Sequence, residues 1–402
     1  MIRGLLFDLD GTLVRTNEGS VETWLQAFRS QGFAVGRERV EREIGRGGDL
    51  LVTEVLGADA EAAHGDALRA AKAAAYAVWL AENPVALERS ALETIRDARA
   101  SGLRVALATS SSPEDLRRLE TRLGIRFREI MDEVATVSEG ETSKPAPDVV
   151  EKACRALALD PLHCALVGDS LYDAKAARRA GVAFVGTTTG YVDARQLRSA
   201  GARVVVNDLE ELRSDLATHM ARCDRTRVDF DAQSSNAMLD TAIAAAVAGM
   251  AEGEAPIGAA LFDAAGNHIV SGHNRSRATG EQTMHAEMNA FRKAPRMGKT
   301  LEPGTIMVST LEPCVMCLGA AMEVGVDVVL YGLAAPSDGG LERVAPPTSP
   351  ENVMCRVRGG IRAREARDLF VEWRRTVATP EQLPYVDELL ERTHVDGTAR
   401  MR

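Results

Sequence analysis

The chain has 402 residues, more than one ordinary core accommodates, so two domains are expected. Its net charge of -10 argues against generic nucleic-acid binding, which needs surplus Lys and Arg to neutralise phosphates. No run is apolar enough to span a bilayer, Asp8 arrives too early for a signal peptide, and six cysteines in a chain this long suggest no disulfide framework, so a cytoplasmic enzyme with no membrane partner is expected.

The first predicted element is Leu5-Leu6-Phe7-Asp8-Leu9-Asp10-Gly11-Thr12. A short apolar run feeds two aspartates one residue apart and then a Gly-Thr turn. That pattern predicts a strand with both carboxylates at its C-terminal end, where open parallel sheets keep their sites. From Val14 to about Val85 the pattern is helical: Val21, Trp24, Leu25 and Phe28 follow i, i+3, i+4, i+7 spacing, and Leu50, Leu51, Val55 and Leu56 do so loosely. Gly45-Arg46-Gly47-Gly48-Asp49 interrupts these helices. Next come a strand ending in hydroxyls at Thr109 and Ser110, a lysine before a helix in Ser143-Lys144-Pro145, and a strand running from Ala165 to the acids Asp169 and Asp173. Residues 202–208 read as a last strand and Leu209 to Met220 as a closing helix.

These four ordered stretches resemble the motifs of the haloacid dehalogenase-like phosphatases with a helical cap, the phosphoglycolate phosphatase and beta-phosphoglucomutase-like kind. The resemblance implies a Rossmann-like α/β domain over residues 1–218, with the cap at about 15–85. It implies that Asp8 is the nucleophile and that Asp10 is the general acid and base. Thr109, Ser110 and Lys144 would hold the phosphoryl oxygens. Mg²⁺ would be bound by Asp8, Asp169 and the Asp10 backbone carbonyl, with Asp173 supporting the metal shell or orienting Lys144. Arg46, in the cap loop, is a candidate contact for an anionic substrate group; a solvated arginine in a flexible loop is an equal alternative.

Residues 219–233 are polar and weakly periodic, so a linker is expected there, with a second domain over 234–402. An Ala-rich helix is predicted over 236–252, then a hairpin of 256–262 and 267–274 around Ala264-Ala265-Gly266. His285-Ala286-Glu287 opens a further helix. Thr305 to Ser309 reads as a strand, Cys314 to Glu323 as a helix, and 326–332 as a strand. H-x-E followed by Pro313-Cys314-Val315-Met316-Cys317 is the signature of a zinc-dependent deaminase. The imidazole of His285 and the thiolates of Cys314 and Cys317 supply three Zn²⁺ ligands and leave the fourth position for water. Glu287 is not needed as a ligand and is free to carry protons. Both cysteines on the first turn of a helix would be favoured as thiolates.

The order helix, hairpin, helix, strand, helix, strand resembles the cytidine deaminase-like fold, a three-layer α/β/α arrangement. Gly272-His273-Asn274-Arg275 and the stretch around Glu312-Pro313-Cys314 are similar to the branch holding cytosine, guanine and tRNA adenosine deaminases. That likeness implies a base contact from Asn274 and a homodimer through this domain; as an alternative, Asn274 caps a turn. Pro336 to Gly340 and Pro346 to Pro350 read as loops. Arg356, Arg358, Arg362, Arg364, Arg367, Arg374 and Arg375 form a basic run. It reads either as an RNA contact or as a helix face paired with Glu365, Asp368 and Glu372; the interleaved acids favour the second. Small-molecule substrates are therefore favoured over RNA. The expectation is a bifunctional hydrolase: a phosphatase of a small phosphorylated metabolite, nucleotides among the candidates, joined to a deaminase of a nucleobase, nucleoside or nucleotide. The alternatives are an RNA-editing deaminase half, or one half that is catalytically inactive and regulatory.

Overall fold

Gly4-Leu5-Leu6-Phe7 is buried at every position, as a strand covered on both faces requires. In the computed structural model, which describes residues 1–138, 140–346 and 353–394, this run is β1, Gly4–Phe7. It joins β2 (Arg104–Thr109), β3 (Glu133–Thr136), β4 (Cys164–Gly168), β5 (Ala183–Thr187) and β6 (Val204–Val206) in a parallel sheet of order β3-β2-β1-β4-β5-β6. Alternate residues of β1 enter different cores: Leu5 and Phe7 pack with Leu107 and Val167, and Leu6 with Ala106 and Leu166. The strand order reverses at β1, so the carboxyl ends of β1, β2 and β4 meet at one crevice. Asp8, Thr109 and Asp169 occupy those ends.

The insertion between β1 and β2 is helical, as its periodicity predicts. Helices Asn17–Ser30, Arg37–Glu41, Gly48–Leu56 and Ala58–Glu82 share a core of Val21, Trp24, Phe28, Val40, Leu51 and Leu68. The expected closing helix is broken at Asp215 into Leu209–Ser214 and Leu216–Cys223. Its second piece occupies the stretch where the linker was expected to begin. Leu216, Met220 and Cys223 recur at helical spacing and bury into the first core, a signal masked by the polar residues between them. Contacts divide the chain into two compact units, Ile2–Cys223 and Asp224–Arg402, with Met1 joined to the second.

The second unit is built on β7 (Gly258–Phe262), β8 (His268–His273), β9 (Thr305–Leu311), β10 (Val326–Leu333) and β11 (Arg356–Arg358), in the order β11-β10-β9-β7-β8. β7 is antiparallel to both neighbours, and the other pairs are parallel. Two glycines reveal the layering. A Cβ on Gly258 would lie 2.1 Å from the Ala242 carbonyl oxygen of helix Ala232–Ala251. A Cβ on Gly272 would lie 2.7 Å from the Ala286 carbonyl oxygen of helix Ala286–Arg296. Gly258 pairs with His273 and Gly272 with Ala259, so the two glycines face opposite sides of the sheet. Helices therefore cover both faces, in three layers.

The helix Ala363–Thr376 matches the helix-face reading of the basic run, while β11 and the helix Leu383–Glu391 were not assigned from sequence. Ala366, Phe370, Trp373, Val386 and Leu389 seal the ends of β9 and β10. The basic run is a paired face, in part on the helix Ala363–Thr376 as expected and in part on β11. Arg356 is buried, with one guanidinium nitrogen 2.6 Å from Asp224 and 2.7 Å from Asp327. Arg358 donates to Ser235 at 2.8 Å, Arg367 donates to the Leu390 carbonyl, Arg362 pairs with Asp240 and Glu365, and Arg374 pairs with Asp387. Of the three acids expected as partners, Glu365 is one; the others found are remote in sequence. Residues 347–350 of the expected proline-rich loop lie outside the described residues. No helix among the described residues is long and apolar enough to cross a membrane.

Two candidate active sites

The first site gathers at the carboxyl ends of β1, β2 and β4. The Asp8 amide donates to the Val167 carbonyl, which continues the β1–β4 ladder and fixes where the Asp8 carboxylate stands. The Lys144 ammonium lies 2.5 Å from Asp8 and 2.8 Å from Asp173 and is almost fully buried. Asp173 belongs to a capping box: its Oδ2 accepts the Ser170 amide at 3.1 Å and the Ser170 hydroxyl at 2.6 Å at the start of helix Leu171–Ala180. Gly168 makes room for it, since a Cβ there would lie 2.6 Å from the Asp173 carboxyl carbon. Asp169 accepts from Thr12 at 3.2 Å and from the Asn17 amide at 2.8 Å.

Ligand atoms of Asp8, Asp169 and Asp173 all lie within 4.8 Å of one another. Burial, then the charge of Asp173, pushes Asp8 well up and Asp169 up to about 7. Burial alone would lower Lys144, but Asp173 and Asp8 together raise it. Three crowded carboxylates face one ammonium, and the Asn17 amide oxygen beside them is buried without a partner. This donor set fits a hard, oxygen-seeking divalent cation. The Asp10 carboxylate is turned elsewhere, accepting from Thr16 and, at 2.8 Å, from Ser111. So the carboxylate cluster contains Asp173, expected only as support, and leaves the Asp10 side chain out. Thr109 accepts the Ser111 amide at 3.0 Å, and Ser110 accepts the Lys144 amide at 3.2 Å.

A cavity of about 370 Å³ lies between the cap and these strand ends, with Asp8, Asp10 and Thr109 on one side and Arg46, Lys72 and Tyr76 on the other. Arg46 lines it, but Glu43 at 2.8 Å and Glu54 at 3.3 Å already match its charge, and its guanidinium sits over the Tyr172 ring at 4.6 Å. Lys72 was missed. It lies 4.3 Å over the Tyr76 ring, with no carboxylate in ion-pair distance among the described residues. Burial lowers its pKa, opposed by Asp115 and Asp10. In an Ala-rich helix a lone lysine reads as solvated; its placement one turn before Tyr76, on the face carrying Leu68, was the available signal.

The second site is assembled at two helix starts. His285 is the N-cap of Ala286–Arg296, and Cys314 is the N-cap of Val315–Glu323, one residue ahead of the helix rather than on its first turn as expected. The His285 Nδ1 stands 3.5 Å from each of the Cys314 and Cys317 sulfurs. With zinc–sulfur bonds of about 2.3 Å and zinc–nitrogen bonds of about 2.0–2.1 Å, the nitrogen–sulfur edge of a tetrahedron is about 3.5 Å. The three donors therefore fit zinc without rearrangement. A hydrogen bond from Cys317 is the main reason the Cys314 thiol is pushed down to about 4, and the same bond raises Cys317. Cys314 is thus favoured as the thiolate and Cys317 as the thiol that donates to it; both together become thiolates only with a cation between them. Glu287, 3% exposed, accepts from Ser309 at 3.0 Å and lies 3.4 Å from the Cys317 sulfur; burial raises its pKa.

Asn274 is buried one residue past β8, and the amide of the next residue, Arg275, donates at 2.9 Å to the carbonyl of Met284, one residue before His285. The Asn274 side-chain nitrogen donates to Glu254 at 2.9 Å, and Glu254 also accepts the Arg277 and Ala278 amides. Glu254 was not singled out from sequence. One carboxylate, itself 1% exposed, thus fixes both the Asn274 side chain and the loop after it. His268 is exposed and Cys355 is buried away from the donors, so neither joins the set.

The haloacid dehalogenase-like hydrolase model matches residues 2–181, and the cytidine and deoxycytidylate deaminase zinc-binding region matches residues 232–333. The chain is similar to CbbY of Cereibacter sphaeroides, 30% identical over 220 residues, covering 53% of this chain and 94% of that protein. It is similar to the tRNA(Ile)-lysidine synthase of Deinococcus deserti, 40% identical over 156 residues, covering 36% of this chain and 29% of that protein. The chain thus spans less than a third of the lysidine synthases it matches. Among solved structures, a hydrolase from Pseudomonas syringae is similar at 25% identity and a TM-score of 0.49, covering 54% of this chain and 98% of that one.

Proposed function

From a chain that belongs to the haloacid dehalogenase-like hydrolases through its first half and carries a cytidine and deoxycytidylate deaminase zinc-binding region in its second, we propose a bifunctional hydrolase. One half removes phosphate from a small phosphorylated metabolite; the other hydrolytically deaminates a nucleobase-like ring. One observation carries the reading: each unit holds its own complete cluster, carboxylates around a buried ammonium in one and an imidazole, two thiols and a buried glutamate in the other.

In the first half, the Asp8 oxygen attacks phosphorus and the alcohol leaves, protonated by Asp10. Asp10 then deprotonates the water that splits the aspartyl-phosphate. Thr16 and Ser111 hold Asp10 for both steps. Lys144 balances Asp8 before attack and meets the phosphoryl oxygens during it. Magnesium held by Asp8, Asp169 and Asp173 would add positive charge against those oxygens. From the cap, Lys72 is offered to a polar or anionic group of the substrate, the role first expected of Arg46.

In the second half, His285, Cys314 and Cys317 would hold zinc, which lowers the pKa of water to near neutrality. Glu287 takes a proton from the attacking water and delivers it to a ring nitrogen as the water oxygen bonds to the ring carbon; it then takes the second proton from the new hydroxyl and gives it to the amine as the C–N bond breaks. Its raised pKa suits a group that must hold a proton between these transfers. Ser309 fixes its orientation. Asn274, braced by Glu254, contacts the ring.

The test is parallel measurement of phosphate and ammonia release over a panel of phosphorylated metabolites and nucleobase derivatives. Asp8→Asn should abolish only phosphate release, and Glu287→Ala only ammonia release. Loss of neither would sink the assignment. The lysidine synthases are named for a tRNA, which favours an RNA substrate as a second reading; the internally paired arginines weigh against it.

A further inference from the structure

Asn17 is the first residue of the helix Asn17–Ser30, where the chain enters the cap. Its amide nitrogen donates to Asp169 Oδ2 at 2.8 Å, across 152 residues of sequence. Its amide oxygen is buried without a hydrogen-bond partner. A helix-capping side chain would accept a backbone amide, and this oxygen accepts none. The pair is tightly enclosed. A Cβ on Gly11 would overlap both the Asn17 amide nitrogen and Asp169 Oδ2, and a Cβ on Gly190 would overlap the same carboxylate oxygen. The other oxygen of Asp169 accepts from Thr12 at 3.2 Å, and Thr189 donates to the Gly11 carbonyl at 2.6 Å. The Asn17 amide and the Asp169 carboxylate are thus held in one orientation.

A buried amide oxygen left without a donor is unfavourable. The groups gathered at this site do not supply one. Asp8, Asp169 and Asp173 form the carboxylate cluster and, when ionised, only accept. Lys144 donates to Asp8 and Asp173, and Thr12 donates to Asp169. Water polarised by a divalent cation is a donor of the right kind. Mg²⁺ gives up its water reluctantly and keeps several molecules of it, whereas Ca²⁺ takes more direct oxygen ligands in a flexible shell. An acceptor that reaches the shell rather than the ion therefore favours Mg²⁺.

We propose that Asn17 makes the phosphatase site select Mg²⁺ over Ca²⁺: its amide nitrogen orients Asp169, and its amide oxygen accepts from a water in the hydration shell of the cation. Asn17 is a positioning residue, acting through Asp169 and through water. The inference rests on the phosphatase reading and adds to it the choice of ion. Partners of this outer kind orient the ligands and set metal affinity. They count most for the ion that keeps its water.

The test uses the zinc-loaded full chain freed of other divalent ions, with Mn²⁺ as the probe. Mn²⁺ binding is read from loss of the free-ion electron paramagnetic resonance signal, and Mg²⁺ and Ca²⁺ are measured by competition. Asp169→Asn locates the binding by losing it. Asn17→Ala should raise the Mg²⁺ Kd about tenfold and the Ca²⁺ Kd by less than about threefold, because Thr12 still holds Asp169. Asn17→Leu, which keeps the bulk and removes both polar atoms, should do the same. The melting temperature without Mg²⁺ should stay close to that of the parent in both variants. Equal losses for the two ions would mean that Asn17 only orients Asp169, and unchanged Mg²⁺ binding that it does neither. Either result overturns the proposal and leaves the phosphatase reading standing. A parent chain that binds no Mg²⁺ also overturns it, and one that releases no phosphate as well overturns the phosphatase reading with it.

Discussion

At the scale of single residues, the two sites use burial in the same way: a charged or polar group is withdrawn from water and then held by dedicated partners. Lys144 is held by Asp8 and Asp173, Glu287 by Ser309, and Asn274 by Glu254. Glu254→Gln keeps the size but turns one N–H acceptor into a donor facing amides. We expect a stability loss of roughly 1–3 kcal/mol and a KM for the ring about tenfold higher, with kcat changed less; steady-state kinetics beside thermal melts separate the two. For Lys72→Met, kcat/KM for phosphate release should fall at least tenfold while Arg46→Met falls less, because Arg46 is already paired. Equal losses would return Arg46 to the substrate.

At the scale of elements, the buried Asp224–Arg356–Asp327 set joins β11, β10 and the chain just ahead of Ala232–Ala251. Burial would raise Asp224, but Arg356, the Met1 ammonium and Thr226 together outweigh it and hold its carboxyl well below the usual range. A depressed folded-state pKa gives stability that is full above the unfolded value of about 4 and lost as pH falls through the folded value. Asp224→Asn should cost roughly 3 kcal/mol at neutral pH, and its difference from the parent should shrink as pH falls below about 4, in urea melts across that range. Gly258→Ala should destabilise by about 1–3 kcal/mol, since its Cβ meets backbone rather than a movable side chain. Sequence made β1, β4, the cap helices and the H-x-E and C-x-x-C starts legible because each carries its own period or motif. It did not reveal Lys72 or Glu254, whose meaning lies in what the fold brings around them, such as Asn274 twenty residues on from Glu254. Arg356 was misread for the same reason: its two aspartates are distant in sequence, while the acids near it suggested a helix face.

At the scale of the whole molecule, two clusters of opposite chemical taste sit in separate units, hard oxygen donors in one and sulfur and imidazole in the other. Metal removal should therefore split the activities. A zinc-selective chelator should stop ammonia release and spare phosphate release, and magnesium omission should do the reverse. Loss of both activities to either treatment would contradict the division.

The Asp224–Arg356 contact also governs where the two halves can be cut apart. A fragment starting at Ala232, where the first helix of the second unit begins, takes Asp224 away from the buried Arg356. A fragment starting at Asp224 keeps both. The eight residues that look like spare tether are thus part of what lets the second half stand alone, and the longer fragment should be the one that survives excision.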